Sequence, residues 1–200
     1  MEAAVNGSKV GTPGRPATID PDAVARAATR LFDTKGYDDT SMDDIARAAG
    51  VGRKSLYRYF ATKADLVWGG MEPALDASLE ALDAGAAEPV RSGDPLARLA
   101  RAATAGSAAL PDLELTRARL RLIAAHGELL SHSYEALGAQ RGRTLAYLTA
   151  AGVPDDTASY LAAAFIAATF QAWLDWAAGT GPDPAPYLRA AASVLQIPSD

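Results

Sequence analysis

The sequence predicts an all-α protein, and three observations carry that expectation. Ala, Leu and Arg recur along all 200 residues, while the alternating Val, Ile and Thr of half-buried strands are nearly missing. Apolar residues return at helical spacing between stops made of Gly and Pro. Hydrophobic residues make up 49% of the chain and cysteine is absent, so a core is affordable by composition while disulfides and thiolate chemistry are not. A reducing compartment, the cytoplasm, is the matching expectation.

The opening "MEAAVNGSKVGTPGRPATID" has an acidic second residue and no apolar run of the secretory kind, and residues 1–18 read as a flexible arm. A first helix starts at Asp20-Pro21, where proline's missing N–H costs nothing. Val24, Ala27, Ala28, Leu31 and Phe32 form its apolar stripe, and Gly36 ends it. The second opens at Thr40 or Ser41, either of which can cap it, with Asp43 and Asp44 in the first turn. Met42, Ile45, Ala46 and Ala49 are its apolar face and Gly50 its stop. A short third helix follows over about 53–60, with Leu56 and Phe60 one turn apart and packed inward. Thr62 caps a fourth, which Gly69, Gly70 and Pro73 kink or interrupt.

Further along, "AGAAEPVRSGDP" reads as a loop. Asp94-Pro95 restarts a helix to about Ala109, and Pro111-Asp112 another to about His126. A longer helix is expected from Gly127 or Glu128 to Ala151, then helices over 154–178 and 183–195. Residues 157–174, "TASYLAAAFIAATFQAWL", carry no charge over a length that just reaches a minimal membrane span. Their Ala, Thr, Ser and Gln content, their lack of flanking Lys or Arg, and Asp155, Asp156 and Asp175 at the ends point instead to a buried or interface helix. No membrane partner is expected.

Helix, Gly-containing tight turn, helix is the helix-turn-helix arrangement. On its second helix the inward Leu56 and Phe60 leave Lys54, Tyr57 and Arg58 facing out, with Arg53 and Ser55 at the flanks. Such a rod can enter a DNA major groove, where Arg or Lys donates to guanine and the phosphate walls attract cations and donors. Arg53, Lys54 and Ser55, at its N-terminal end, suit base edges. Tyr57 and Tyr59 suit phosphates, Thr40 or Ser41 and Lys63 add anion contacts near helix starts, and Arg15 is placed to follow the minor groove. Residues 1–68 hold ten Lys and Arg against nine Asp and Glu, whereas the whole chain has a net charge of −5. The two parts therefore suit different partners.

The motifs "F-x-x-x-G-Y-x-x-T-S-M-x-x-I-A-x-x-A-G-V" and "L-Y-x-Y-F-x-x-K-x-x-L", with "GRP" ahead of them, resemble the DNA-binding domain of the TetR family of transcriptional regulators from Gly14 to about Leu66. The resemblance implies an all-α homodimer that binds double-stranded DNA at a palindromic operator through an N-terminal three-helix helix-turn-helix domain, here 19–66. It also implies a C-terminal helical ligand-binding and dimerisation domain, here 67–200, paired through its last two helices. The family's DNA contacts fall on Ser41, Arg53, Lys54, Ser55, Tyr57, Tyr59 and Lys63. Gly52 stands where many members have a Ser or Thr cap, so the third helix is expected to begin less firmly.

Helices apolar on more than one face, as Leu161, Phe165, Ile166, Phe170, Trp173 and Leu174 make the 154–178 segment, need two neighbours. A twofold-related subunit supplies the second, or a large monomer core absorbs both. A small-molecule effector is expected among Trp68, Met71, Leu75, Arg119, Leu122, His126, Tyr134 and Phe170. In "LTRARLRLIAAH", Arg117 and Arg121 share one face and Arg119 another, and an inward arginine would favour an anionic ligand. This segment and "AFIAATFQAWL" are similar to the acyl-CoA-responsive subgroup, mycofactocin-type regulators included; drug-like or aromatic efflux substrates are the competing class. No metal, cofactor or catalytic role is expected, because His126 and His132 lie six apart and no nucleophile elbow, phosphate loop or metalloprotease motif is present. The alternative to a DNA-binding repressor is a helical adaptor that binds no DNA.

Overall fold

The computed structural model describes residues 19–84 and 94–197. The expected arm, with Arg15 in it, and most of the expected loop at 84–95 lie outside the described residues. Twelve helices, among the described residues, run α1 (Pro21–Lys35), α2 (Met42–Ala48), α3 (Arg53–Tyr59), α4 (Lys63–Trp68), α5 (Glu72–Ala84), α6 (Pro95–Ala108), α7 (Leu113–Ala125), α8 (Gly127–Ser131), α9 (Ser133–Ala136), α10 (Gly138–Ala150), α11 (Asp155–Ala178) and α12 (Ala185–Ser193).

Local side-chain chemistry starts most of them. Asp20 Oδ1 accepts the backbone N–H groups of Asp22 at 3.0 Å and Ala23 at 3.2 Å, with Pro21 behind it. Thr62 and Asp65 form a reciprocal capping box on α4, at 3.2 and 2.9 Å. Asp94 caps α6 through Leu96 N–H and Asp112 caps α7 through Leu115 N–H, each at 2.9 Å. Between α4 and α5 the Gly69–Met71 segment tightens into a single 3-10 turn, which is the expected interruption.

Two apolar clusters organise the packing. The first begins under α1 to α3 with Val24, Phe32, Ile45 and Leu56, continues through Leu66 and Trp68 of α4, and reaches Leu120, Ile123, Leu129 and Trp176. The second joins α5, α6, α10, α11 and α12 around Leu99, Leu148, Ala162 and Phe165. α4 thus straddles the expected boundary at 66, and its end is part of the core shared with the C-terminal helices. α11, the one helix among the described residues long and apolar enough to cross a membrane, packs on α7, α10 and α12 and buries Ala158, Leu161, Phe165 and Trp176.

The expected continuous helix over 127–151 is broken into α8, α9 and α10, at His132 and Leu137. Competing donors accompany the first break: Ser131 donates its hydroxyl to Glu128 O at 2.9 Å, and Leu129 O accepts the indole N–H of the distant Trp68 at 3.3 Å. Gly138, a poor helix former, follows the second. Helix α12 is also shorter than the expected 183–195, because Asp183 stays outside as a side-chain acceptor for Ala185 N–H at 2.8 Å.

Helices α5 and α6 approach most closely at Gly106, where a Cβ would fall inside contact distance of Ser78 Oγ and the Ala74 carbonyl. Gly106→Ala is therefore expected to destabilise the fold by about 1–2 kcal/mol despite alanine's better helix propensity, read as a lower urea midpoint in far-UV circular dichroism.

Candidate nucleic-acid interface

The turn between α2 and α3 is built by Gly50 at φ 66°, a left-handed conformation that favours glycine, with Val51 N–H bonded back to Ala46 O at 3.0 Å. That geometry delivers α3 with Leu56 fully buried and Phe60 half-buried at its end. The opposite face is exposed: Lys54 and Arg58 stand in solvent beside Tyr57 and Tyr59, which are 41% and 42% exposed. Arg53 lies over the Tyr57 ring at 5.6 Å and Arg58 over Tyr59 at 5.2 Å, so each tyrosine holds a guanidinium along the rod. Ser55 is half-buried beside Gly52. No side chain caps α3, in keeping with Gly52 at that place.

The residues around α3 are less available than the sequence suggests. Thr40 is 1% exposed and donates its hydroxyl to Gly36 O at 2.6 Å, so it closes the α1–α2 turn and is not on the surface; Ser41 is the cap of α2. Of the two expected hydroxyls, Ser41 is therefore the exposed one. Ser41 exchanges bonds with Asp44, its Oγ accepting Asp44 N–H at 3.1 Å and donating to Oδ2 at 2.8 Å. Lys63 Nζ donates to Tyr37 O at 2.6 Å and lies over the Tyr37 ring at 4.4 Å, spending much of its charge inside the domain. Arg53 is also paired, with Asp43 at 2.9 Å.

Asp44 is the hub that the sequence shows only as a first-turn acid. It accepts from Lys35 at 2.6 Å and Arg47 at 3.1 Å besides the Ser41 hydroxyl and N–H. The Lys35 bond, then those of Ser41, hold its carboxyl well below the usual range. Tyr37, buried against Phe32 at 5.0 Å and His126 at 4.8 Å, has its phenol pushed up to about 12, by burial first and then by Glu128, Asp38 and Asp65.

A second feature lies between α5, α6, α10 and α11: a cavity of about 80 Å³ whose wall includes Trp68, Met71, Leu75 and Phe170. Four of the expected effector residues are thus together, and four are elsewhere. Leu122 packs against the first cluster. His126 is bonded through Nδ1 to Leu122 O at 2.9 Å and faces Tyr37. Tyr134 is 73% exposed beneath Arg141. Arg119, only 5% exposed, lies against Gly70, in the crevice beside Asp22 and Glu72, and burial lowers its pKa. Arg117 turns inward as well, but onto the carbonyls of Gly179 at 2.6 Å and Gly181, stacked on Trp176 at 4.4 Å. Sequence reasoning missed Ser78, Gln140, Thr144 and Thr169, polar residues on the cavity wall that helical periodicity does not distinguish from surface.

Residues 25–67, which span this helix-turn-helix, match the family model described as bacterial regulatory proteins, tetR family. This segment is similar to the TetR-family DNA-binding domain. Among curated relatives, a mycofactocin biosynthesis transcriptional regulator named MftR from Mycobacterium tuberculosis is 45% identical over 56 residues, 28% of each chain. The HTH-type transcriptional regulator EthR of Mycolicibacterium smegmatis is 31% identical over 87 residues, 40% of each. The chain therefore spans well under half the length of these relatives. Over the full fold, the TetR-family repressor FadR of Thermus thermophilus, solved with lauroyl-CoA, superposes with a TM-score of 0.56 at 23% identity, covering 88% of this chain and 92% of that one. NalD, the secondary repressor of the MexAB-OprM multidrug efflux pump in Pseudomonas aeruginosa, gives 0.54 at 25% identity, over 87% and 93%. The fold of these two repressors thus matches this chain through its C-terminal helices.

Because the folded carboxyl of Asp44 titrates below its unfolded value of 3.8, its stabilisation is present above that pH and is lost as the pH falls toward the depressed value. Asp44→Asn is expected to be less stable than the parent at pH 7, with the gap closing below pH 3.8, as measured by urea unfolding at both pH values.

Proposed function

We propose that the protein is a homodimeric, cytoplasmic transcriptional regulator, a repressor released from a palindromic operator by a small hydrophobic or acyl-CoA-like effector. The observation that carries the reading is α3: a buried Leu56 aims a face of Lys54, Arg58, Tyr57 and Tyr59 outward from a TetR-type turn. Arg53, Lys54 and Ser55 are the base-reading candidates. Tyr57 and Tyr59 address phosphates, with Ser41 and Lys63 at the flanks. Residues 19–66 form the reading part and 67–200 the sensing and pairing part.

Pairing is supported by α11, which exposes Tyr160, Ala163, Ala164, Ala167 and Gln171 at helical spacing on the side away from the core. Small side chains there let a second copy approach closely, and two α3 helices held about 34–36 Å apart would match successive major grooves. Sensing is supported by Trp68, which ends α4, stacks on Phe170 at 5.7 Å and forms part of the cavity wall. An effector that displaces Trp68 pulls the end of α4, whose start at Lys63 holds the α1–α2 turn. The cavity is smaller than the roughly 150 Å³ void that admits benzene, so an effector has to open it and binds one state better than the other. The lauroyl chain of the lauroyl-CoA solved with FadR is apolar, as this wall mostly is, and a chain of that kind would need the same opening here.

The test is operator selection from a random DNA pool followed by fluorescence anisotropy across a salt series. Lys54→Ala is expected to weaken binding uniformly or relax one base position, and to reduce the slope of log K against log salt by about 1 for each phosphate contact removed. A parent protein that selects no sequence and binds no duplex at low salt would refute the DNA reading and leave a helical adaptor.

A further inference from the structure

One polar group on the cavity wall is left unsatisfied by the fold. Gln140 of α10 is 9% exposed, and its Oε1 has no hydrogen-bond partner. Two polar neighbours on the wall are bonded within their own helices: Ser78 donates to Ala74 O at 2.8 Å and Thr169 to Phe165 O at 2.8 Å, as hydroxyls on helices commonly do. A buried amide oxygen without a donor bears its full desolvation cost, and Met or Leu would occupy the same space without it. Folding therefore gives no reason for glutamine at this place, whereas a guest in the cavity does.

Among the described residues no charged side chain lines the cavity. Arg117 is engaged on the 179 and 181 carbonyls, and Arg119, whose Nε has no hydrogen-bond partner, lies beside Gly70 in the neighbouring crevice and is not on this wall. An ionised head group buried here would have no counter-charge. A hydroxyl, by contrast, both donates and accepts, and satisfies the carboxamide whichever way it is turned.

We propose that Gln140 is the polar anchor of the effector site, and that the effector portion held there is uncharged and apolar apart from a hydroxyl placed against this amide. The inference rests on the cavity being the effector site. It departs from the anionic ligand that an inward arginine would favour.

The probes are cyclopentanol, cyclopentane and cyclopentanecarboxylate, titrated into the full chain and followed by intrinsic fluorescence, since Trp68 and Trp173 stand on the wall. The affinity ratio of cyclopentanol over cyclopentane is expected to fall at least about tenfold from the parent to Gln140→Met, because a site built around a hydrogen bond discriminates strongly only while that bond exists. Unliganded Gln140→Met should melt no lower than the parent, having lost an unpaired group. An unchanged ratio with both probes bound would overturn the role of Gln140 while leaving the cavity as a binding site. Carboxylate as the tightest probe, or a Gln140→Met that melts well below the parent, would overturn it too. Failure of the parent to bind any probe would overturn it together with the cavity reading, and operator binding without probe, measured in parallel, shows whether the DNA reading survives. Gln140→Leu, measured beside it, is expected to give the same loss of ratio.

Discussion

Burial of Leu56 is the constraint on which the rest depends. α3 has seven residues and no side-chain cap, too short and too poorly started to persist by its own propensity. It is helical in this place because Leu56 is inserted among Ile45, Leu66 and the rest of the first cluster, while the Gly50 turn leaves α2 no other route. Its cations are therefore presented by a core contact, and that core is not private to the first three helices. Through Leu66 and Trp68 it continues to Leu129 and Trp176, so the orientation of the exposed face is mechanically continuous with the C-terminal helices.

The polar contacts divide by the same logic. Asp44 gathers Lys35, Arg47 and Ser41 on the surface, where each pair contributes little and the gain lies in fixing the α1–α2 turn. Lys63 reaches the other side of that turn. Arg117 bonds carbonyls beyond the end of α11 and stacks on Trp176, a geometry that needs the planar fork of arginine and that lysine cannot copy. Charged groups that look like ligands for DNA or effector in a linear sequence are thus partly consumed in holding the frame.

What could be read from sequence was whatever depends on near neighbours. Asp20, Ser41, Thr62, Asp94 and Asp112 cap helices through partners two or three residues away, and the Gly69–Gly70 interruption follows from local propensity. The stripe of α1 and the inward Leu56 follow from periodicity. What could not be read depends on distant partners: Lys63 bonds a carbonyl 26 positions back, Arg117 one 62 positions on, and the break at His132 accompanies an indole donor from Trp68. Thr40 and Ser41 are equivalent as capping chemistry, and only the packing of the α1–α2 turn sends one inside. Of the residues expected around an effector, Trp68, Met71, Leu75 and Phe170 lie on the cavity wall, whereas Gln140 gave no signal because a glutamine on a helix is ordinary until its surroundings are known.

The contact at Gly106 has a bearing on how the chamber can breathe. Two helices whose backbones meet without an intervening side chain form a stiff slab, since neither can slide or rotate against the other before atoms collide. With α5 and α6 in close contact there, room for a guest is more easily made on the side of α10, where Leu137, Gln140 and Thr144 line the cavity. Trp68 shares that wall, so any opening on the α10 side is felt at the end of α4.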